Sequence, residues 1–255
     1  MDFVVDIGNS NIVIAIHDGM HWIQKFRFET KDQQPTYYYE VGLRDLLLEW
    51  GIAPSSIKLA TISSVVPHVT EHIVNAIKIN FGVDPIVLSP DVFVKLDMHI
   101  PKVHEIGSDL VANAFAIKSK SNKNTIIVDF GTALTFTVYS PIDGIVGVTI
   151  APGLKTIIST LSSNTAQLPH VDIEMPNSAI GKSTNTAIQA GVLFGYIGLV
   201  KELLKRIKSE LNDNYQVVAT GGLSSALGEL KEEFDAIDKN LTLDGVKLLG
   251  VVARK

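Results

Sequence analysis

An apolar strand that ends in Asp-x-Gly occurs twice in this chain, with the second acid 123 residues after the first. Phe3-Val4-Val5-Asp6-Ile7-Gly8-Asn9-Ser10 and Ile126-Ile127-Val128-Asp129-Phe130-Gly131-Thr132-Ala133 share one pattern: a β-branched run, an acid, a glycine, then small residues. Such a run reads as a buried strand, and its recurrence implies two similarly folded halves. The likeness continues past the glycines. Residues 12–16, the turn Asp18-Gly19 and residues 22–28 read as two more strands of a meander, as do residues 134–139, the turn Pro141-Ile142-Asp143-Gly144 and residues 145–150.

Helical periodicity follows each meander. Residues 39–50 place Val41, Leu43, Leu46, Leu47 and Trp50 on one broad face, and residues 188–207 carry a similar stripe. Short apolar runs at 57–63, 85–88 and 216–219 add strands between helices. The predicted fold class is α/β, with two lobes that each open with a three-stranded antiparallel meander on a mixed sheet flanked by helices. The polar, turn-rich stretch 118–124 precedes the second copy and divides the chain into lobes 1–118 and 119–255.

Composition narrows the function. With 46% hydrophobic and 19% charged residues the chain is too apolar to be disordered. Twenty-seven acidic against 22 basic residues, net −5, lack the basic excess of a nucleic-acid binder. The absence of cysteine excludes disulfides, zinc–thiolate sites, iron–sulfur clusters and a thiol nucleophile, and it suits a reducing compartment. The chain opens Met1-Asp2 and enters a strand broken by Asp6, unlike a secretory signal, so a cytoplasmic location is expected.

The longest uncharged run, 183–200, contains Ser183, Thr184, Asn185, Thr186 and Gln189, so a buried helix is expected there rather than a membrane span. Gly191, Gly195 and Gly198 would let another helix approach it closely, first of all one from the same chain, or else one from a second subunit. His68 and His72 are spaced i,i+4, but His-Val-Thr-Glu-His is not the zinc-binding His-Glu-x-x-His, and an exposed helix face is expected. His17 and His21 flank the Asp18-Gly19 turn and read as surface residues.

The repeated turn has the chemistry of a phosphate cradle. Glycine lets backbone approach a ligand, successive N–H groups can converge, and Asn9, Ser10 and Asn11 add side-chain donors. Asp6 would repel a phosphate unless a cation or water lay between them, so a metal is implied. Gly181-Lys182-Ser183-Thr184 ends like a P-loop, but Pro176 stands where that motif needs its first glycine, and a Walker site is excluded.

Two Asp-x-Gly hairpins, with Thr220-Gly221-Gly222-Leu223 after a third strand, resemble the phosphate and adenosine motifs of the actin, Hsp70 and acetate and sugar kinase superfamily. A nearer resemblance spans nearly the whole chain. Asp6-Ile-Gly-Asn-Ser10, Ser63-Ser-Val-Val-Pro67, Glu105-Ile-Gly-Ser-Asp109, Ala112-Asn-Ala114, Val128-Asp-Phe-Gly-Thr132, Ala151-Pro-Gly153, Ala166-Gln-Leu-Pro169, Ile180-Gly-Lys-Ser-Thr184 and Gly191 occur in the order found in type III pantothenate kinases. That resemblance implies two ribonuclease H-like (actin-like) lobes and ATP-dependent phosphorylation of pantothenate to 4'-phosphopantothenate, the first step of coenzyme A biosynthesis. It further implies a homodimer, Mg2+ or a similar divalent cation, and K+ or NH4+, with no nucleic acid or membrane as partner.

The family's roles transfer onto matching positions. Asp109 takes the catalytic place. Asp6, Ile7, Gly8, Asn9, Ser10, Asn11, Ile12, Val13 and Thr132 fall where ATP is bound. Ile100, Gly107, Ser108, Asp109, Leu110 and Thr184 fall on the substrate pocket, and Asp129 on the monovalent-cation ligand. Two positions depart from the family. Arginine usually follows the catalytic aspartate, where this chain has Leu110, and an aromatic residue usually stands at Ile100. Losing a charge-assisted contact of about 1.5–3 kcal/mol would weaken substrate binding by one to two powers of ten unless Lys155 or Lys182 substitutes. Two other readings follow: a catalytically weakened nucleotide-binding regulatory protein of the same family, or a related small-molecule kinase.

Overall fold

A computed structural model describes residues 1–31, 33–225 and 227–254. Two compact units emerge, and they are not contiguous halves. The first comprises Met1–Asn122, Ile142–Val146 and Asn240–Lys255, and the second Lys123–Pro141 and Gly147–Lys239. A split at residue 118 therefore misses two returns of the chain to the first unit. Leu241, Leu243, Val246 and Leu249 have negligible exposure, so the last helix belongs with the sheet that buries them.

The first unit opens with β1 (Asp2–Ile7), β2 (Asn11–His17) and β3 (Trp22–Glu29), an antiparallel meander. Then come α1 (Thr36–Glu49), β4 (Leu59–Ser64), α2 (Pro67–Phe81), β5 (Ile86–Val87), α3 (Pro90–Phe93) and α4 (Ser108–Lys120). The sheet order is β3-β2-β1-β4-β5, with β4 parallel to both β1 and β5. Phe3, Val5 and Ile7 of β1 join Ile12, Ile14 and Ile16 of β2 and apolar residues of α1 and α2 in one core. Pro67 starts α2 where its missing N–H is harmless, and Gly82 at φ 65° stops it.

The second unit repeats the plan with β6 (Thr125–Phe130), β7 (Ala133–Ser140), β8 (Gly144–Pro152), α5 (Leu154–Ser163), α6 (Thr184–Glu210), β9 (Gln216–Thr220) and β10 (Ala236–Ile237). Its order, β10-β9-β6-β7-β8, is that of the first sheet read from the other edge. β6 is antiparallel to β7 and parallel to β9, as β1 is to β2 and β4. The anticipated α/β class with meander-led mixed sheets is the observed one.

The final helix, α7 (Leu241–Ala253), returns to the first unit. A Cβ on Gly245 would collide with the Ala112 backbone of α4, and one on Gly250 with the Thr61 side chain of β4. Two bare glycines thus let α7 lie against α4 and β4. Gly245→Ala is expected to cost about 1–3 kcal/mol, because the obstruction is main chain and cannot change rotamer. Urea denaturation measures this; an unchanged midpoint would show that the contact is dispensable.

Local patterns misplaced some surfaces. His17 is 6% exposed, not a surface residue: its ring packs edge-on against Trp22 and Nδ1 accepts the Gly19 N–H at 3.0 Å. Burial, then the neighbouring Lys247, holds its pKa below the ordinary histidine value. His72 is half-buried, bonded to the Thr36 hydroxyl and stacked on Tyr39.

The third surprise is α6. Eighteen of its residues reach a mean hydropathy of 1.4, and a third of that window is buried. Leu193, Tyr196, Ile197, Val200 and Leu204 fill the core of the second unit, which accounts for one apolar face. Gly191, Gly195 and Gly198 lie on the other: they are exposed, and a Cβ on each would meet nothing within 4 Å. The close helix contact expected from the same chain is absent there among the described residues.

Candidate active site

In the first unit the site is built at the carboxyl ends of β1 and β4. Asp6 pairs across the sheet with Val13 of β2 and Ser63 of β4. The loop that follows is a tight turn in which the Gly8 N–H donates to the Asn11 carbonyl at 2.9 Å. Thr30 holds that loop from the end of β3: its hydroxyl donates to the Gly8 carbonyl at 2.7 Å and its N–H to the Ser10 carbonyl at 3.0 Å. Because the Gly8 N–H closes its own turn, a ligand must be met by the donors after it.

Asp109 occupies the first turn of α4, a position the helix dipole favours for an acid. Its Oδ1 accepts the Leu110 N–H at 2.9 Å. The carboxyl folds back over Gly107, where a Cβ would overlap Oδ1, so any larger residue before this helix would turn the Asp109 carboxyl away from its present position. Asp109 keeps part of its own surface, yet protein surrounds the carboxyl closely. Desolvation therefore pushes its pKa above the ordinary carboxylate range, against the opposing pull of backbone hydrogen bonds.

Asp6 and the start of α4 are joined by two buried hydroxyls. Ser63 Oγ donates to Asp6 Oδ1 at 2.9 Å and lies 3.0 Å from Ser108 Oγ, which accepts the Ser64 N–H at 3.0 Å. Ser63 has one proton and gives it to Asp6, while the single Ser108 proton has two acceptors in reach, Ser63 Oγ at 3.0 Å and the Ser64 carbonyl at 3.2 Å. The network links the β4 backbone, both hydroxyls and the Asp6 carboxylate, and a buried hydrogen-bonded network of this kind fixes side-chain positions. In the sequence Ser63 stands only as part of a motif. Its role becomes visible through the β1–β4 register.

In the second unit Asp129 occupies the position of Asp6, pairing with Thr135 of β7 and Thr220 of β9. Gly131 closes the turn, its N–H donating to the Ala133 carbonyl at 3.1 Å. The Thr132 carbonyl accepts from the Gly153 N–H at 3.0 Å and the Thr156 hydroxyl at 2.7 Å, which ties the turn to the start of α5. A Cβ on Gly153 would strike the Gly131 and Thr132 carbonyls. Gly221, at φ +89°, passes so near Asp129 that a Cβ there would sit 2.5 Å from Oδ1 and 2.7 Å from the Phe130 carbonyl. Gly153 and Gly221 stood in sequence motifs, but their contact partners were not legible.

Thr184 lies elsewhere on the second unit, at the start of α6, where Ser183 and Thr186 form a capping box. It lines an open groove of about 680 Å3 with Leu161, Leu168, Lys182, Ile188 and Val192. Lys182 also borders a second groove of about 390 Å3. Neither groove is lined by Asp129 or Thr132. Leu110 is 6% exposed on α4, so its side chain is part of the core and its polar contribution is the N–H given to Asp109. Ile100 is half-buried in the turn-rich stretch before α4.

The oxygen-rich surroundings of Asp129 suit a hard cation: a carboxylate, the Phe130 carbonyl, and a glycine whose missing Cβ leaves room. Among the described residues no three histidine, aspartate or glutamate side chains gather into a metal cage. Asp6 fits the other arrangement, in which a divalent ion is held by one carboxylate and the phosphates of a substrate.

Two meander-led sheets of identical order, each with an acid next to the end of its first strand, define a duplicated α/β fold. A solved Baf family transcriptional activator from Campylobacter jejuni shares the fold, with a TM-score of 0.56 at 24% identity, covering 97% of this chain and 96% of that one. The pattern of the type III pantothenate kinases matches residues 3–206. The type III pantothenate kinase of Geobacter sulfurreducens is 35% identical over 249 residues, 98% of either chain. That of Geotalea uraniireducens is 36% identical over 249 residues, 98% of this chain and 97% of its own. This chain belongs to the type III pantothenate kinase family.

Proposed function

We propose that this chain phosphorylates pantothenate with ATP, giving 4'-phosphopantothenate in coenzyme A synthesis. The observation that carries this reading is Asp109 at the head of α4, hydrogen-bonded to the Leu110 N–H, with the preceding residue Ser108 joined through Ser63 to Asp6. Family membership supplies the substrates; the chain supplies an acceptor for the hydroxyl proton next to a loop suited to phosphate.

Phosphoryl transfer asks mainly for position and charge balance. The pantothenate hydroxyl oxygen attacks the γ-phosphorus, the bond to the β,γ-bridging oxygen breaks, and ADP leaves with the electron pair. Asp109 takes the hydroxyl proton as the new P–O bond forms. In the first unit, residues 6–13 carry the ATP loop and Ile100 and Gly107–Leu110 the pantothenate positions; in the second unit, Thr132 is assigned to ATP and Thr184 to pantothenate. Asp6 would hold a divalent ion and Asp129 a K+ or NH4+ ion, and bound cations of this kind offset phosphate charge. Leu110 brings no positive charge to the substrate carboxylate, and Lys155 and Lys182 are the candidates to supply it.

The enzyme acts as a cytoplasmic homodimer. The exposed small-residue face of α6 supports this assembly, because bare glycines permit close helix approach and nothing in the described chain occupies them. Sedimentation of the purified protein tests it.

A coupled assay with ATP, pantothenate, Mg2+ and K+ tests the reaction. Turnover is expected in K+ or NH4+, and much less in Na+. Failure to turn over millimolar pantothenate while still binding ATP would refute the kinase reading in favour of a regulatory nucleotide-binding protein.

A further inference from the structure

The stretch between α3 and α4, which carries Ile100 and ends at Gly107, two residues before Asp109, has no helix or strand of its own. It turns at Lys102, a non-glycine residue at φ 45°, where the Glu105 N–H donates to the Lys102 carbonyl at 2.7 Å. Short of tertiary anchors such a segment samples many shapes, and a substrate would have to order it on binding.

One anchor comes from far along the chain. Residues Ile142–Val146, the end of the turn after β7 and the first three residues of β8, belong to the first unit. The Ile145 N–H donates to the His99 carbonyl at 2.9 Å. Gly144 is buried at φ +69°, and a Cβ on it would overlap the carbonyl oxygen and crowd the amide nitrogen (2.7 Å) and carbonyl carbon (2.9 Å) of His99. Glycine is therefore required twice over, for the left-handed backbone and for direct contact with the His99 main chain. No side-chain rotation can relieve that overlap, because everything it meets is backbone.

We infer that Gly144 is a positioning residue for pantothenate: its bare Cα and the Ile145 N–H form a seat that holds His99, and so keeps Ile100 and the approach to Gly107–Asp109 in the shape the substrate meets. The inference rests on the pantothenate kinase reading for the identity of the ligand, but not for the seat itself. Preordering a loop lowers the cost of binding, so its loss raises the KM for the substrate that touches the loop and spares the other substrate.

Gly144→Ala and Gly144→Asn separate strain from overlap, because asparagine tolerates a left-handed backbone while both substitutions add a Cβ. Gly51 is the control: it has φ +63° and nothing within 4 Å of its Cβ position, so Gly51→Asn carries the backbone demand alone. Both Gly144 variants are expected to raise the KM for pantothenate by about tenfold or more, with the KM for ATP within about twofold of wild type. Hydrogen exchange at residues 97–107 should speed up in both, while Gly51→Asn leaves KM and exchange alone. If Gly144→Ala fails to fold, Gly144→Asn, which carries less strain, decides. Unchanged exchange at 97–107 would overturn the seat, and so would equal rises in both KM values accompanied by a general loss of protection. Wild-type protein that turns over no pantothenate would overturn the kinase reading instead, and exchange would still judge the seat.

Discussion

The substitution Asp109→Asn is expected to silence phosphoryl transfer and at the same time to stabilise the fold at neutral pH. Asparagine keeps an oxygen that can accept the Leu110 N–H, so the geometry of the first turn of α4 survives. It cannot take the hydroxyl proton, and loss of a positioned base costs about 10²–10⁴ in kcat. The stability gain follows from burial. Desolvation raises the folded pKa of Asp109 above its unfolded value. The neutral carboxyl therefore favours folding below the ordinary carboxylate pKa of about 3.9, and that contribution is lost as pH rises through the higher folded value. Melting temperatures of wild type and Asp109→Asn should lie close together in acid and diverge towards neutrality, with the variant higher. The wild-type kcat profile should show its acid limb above the usual carboxylate range, since the base must be ionised. A variant that keeps a tenth of wild-type activity, or that melts below wild type at pH 7, would remove Asp109 from this role.

Gly153→Ala is the second large effect, and it should strike ATP rather than pantothenate. Gly153 has an unstrained backbone at φ −71°, so alanine carries no dihedral penalty there. Its Cβ would nevertheless strike the carbonyls of Gly131 and Thr132, which are main chain. The turn after Asp129 must move, and displacement of about 1 Å at a phosphate-positioning loop can cost on the order of 10²-fold. kcat/KM for ATP is expected to fall by that order, with the KM for pantothenate little changed. Thr156→Val removes one of the two donors to the same Thr132 carbonyl and should cost only about 0.5–1.5 kcal/mol. Steady-state kinetics with each substrate varied in turn distinguishes these outcomes. Equal effects on the two substrates would mean that Gly153 supports the fold in general and not the turn.

The two Asp-x-Gly turns were legible because strands and turns are written in short-range pattern. A β-branched run can bury both faces, an acid and a glycine end it, and the meander follows from alternation and turn residues. The start of α4 at Gly107-Ser108-Asp109 was legible for a similar reason, since an acid in the first turn answers the helix dipole. His17 was not, because its burial comes from Trp22 across a turn and from Lys247, 230 residues further on. Nor was the open face of α6. Glycines spaced along a helix announce close approach but do not say whether the partner lies in the same chain.

By itself, then, the sequence determined the duplicated α/β plan, the two acids at the ends of equivalent strands and the family motifs around them, all of which depend on neighbours within a few residues. The tertiary structure alone decided that Ser63 and Ser108, 45 residues apart, would link Asp6 to the head of α4. It also decided that Gly153 and Gly221 would press on the turn after Asp129, that α7 would return to the first unit, and that the start of β8 would seat His99. Each depends on strand register or on backbone meeting backbone at distant positions, and close packing fixes such contacts only when the whole chain is in place.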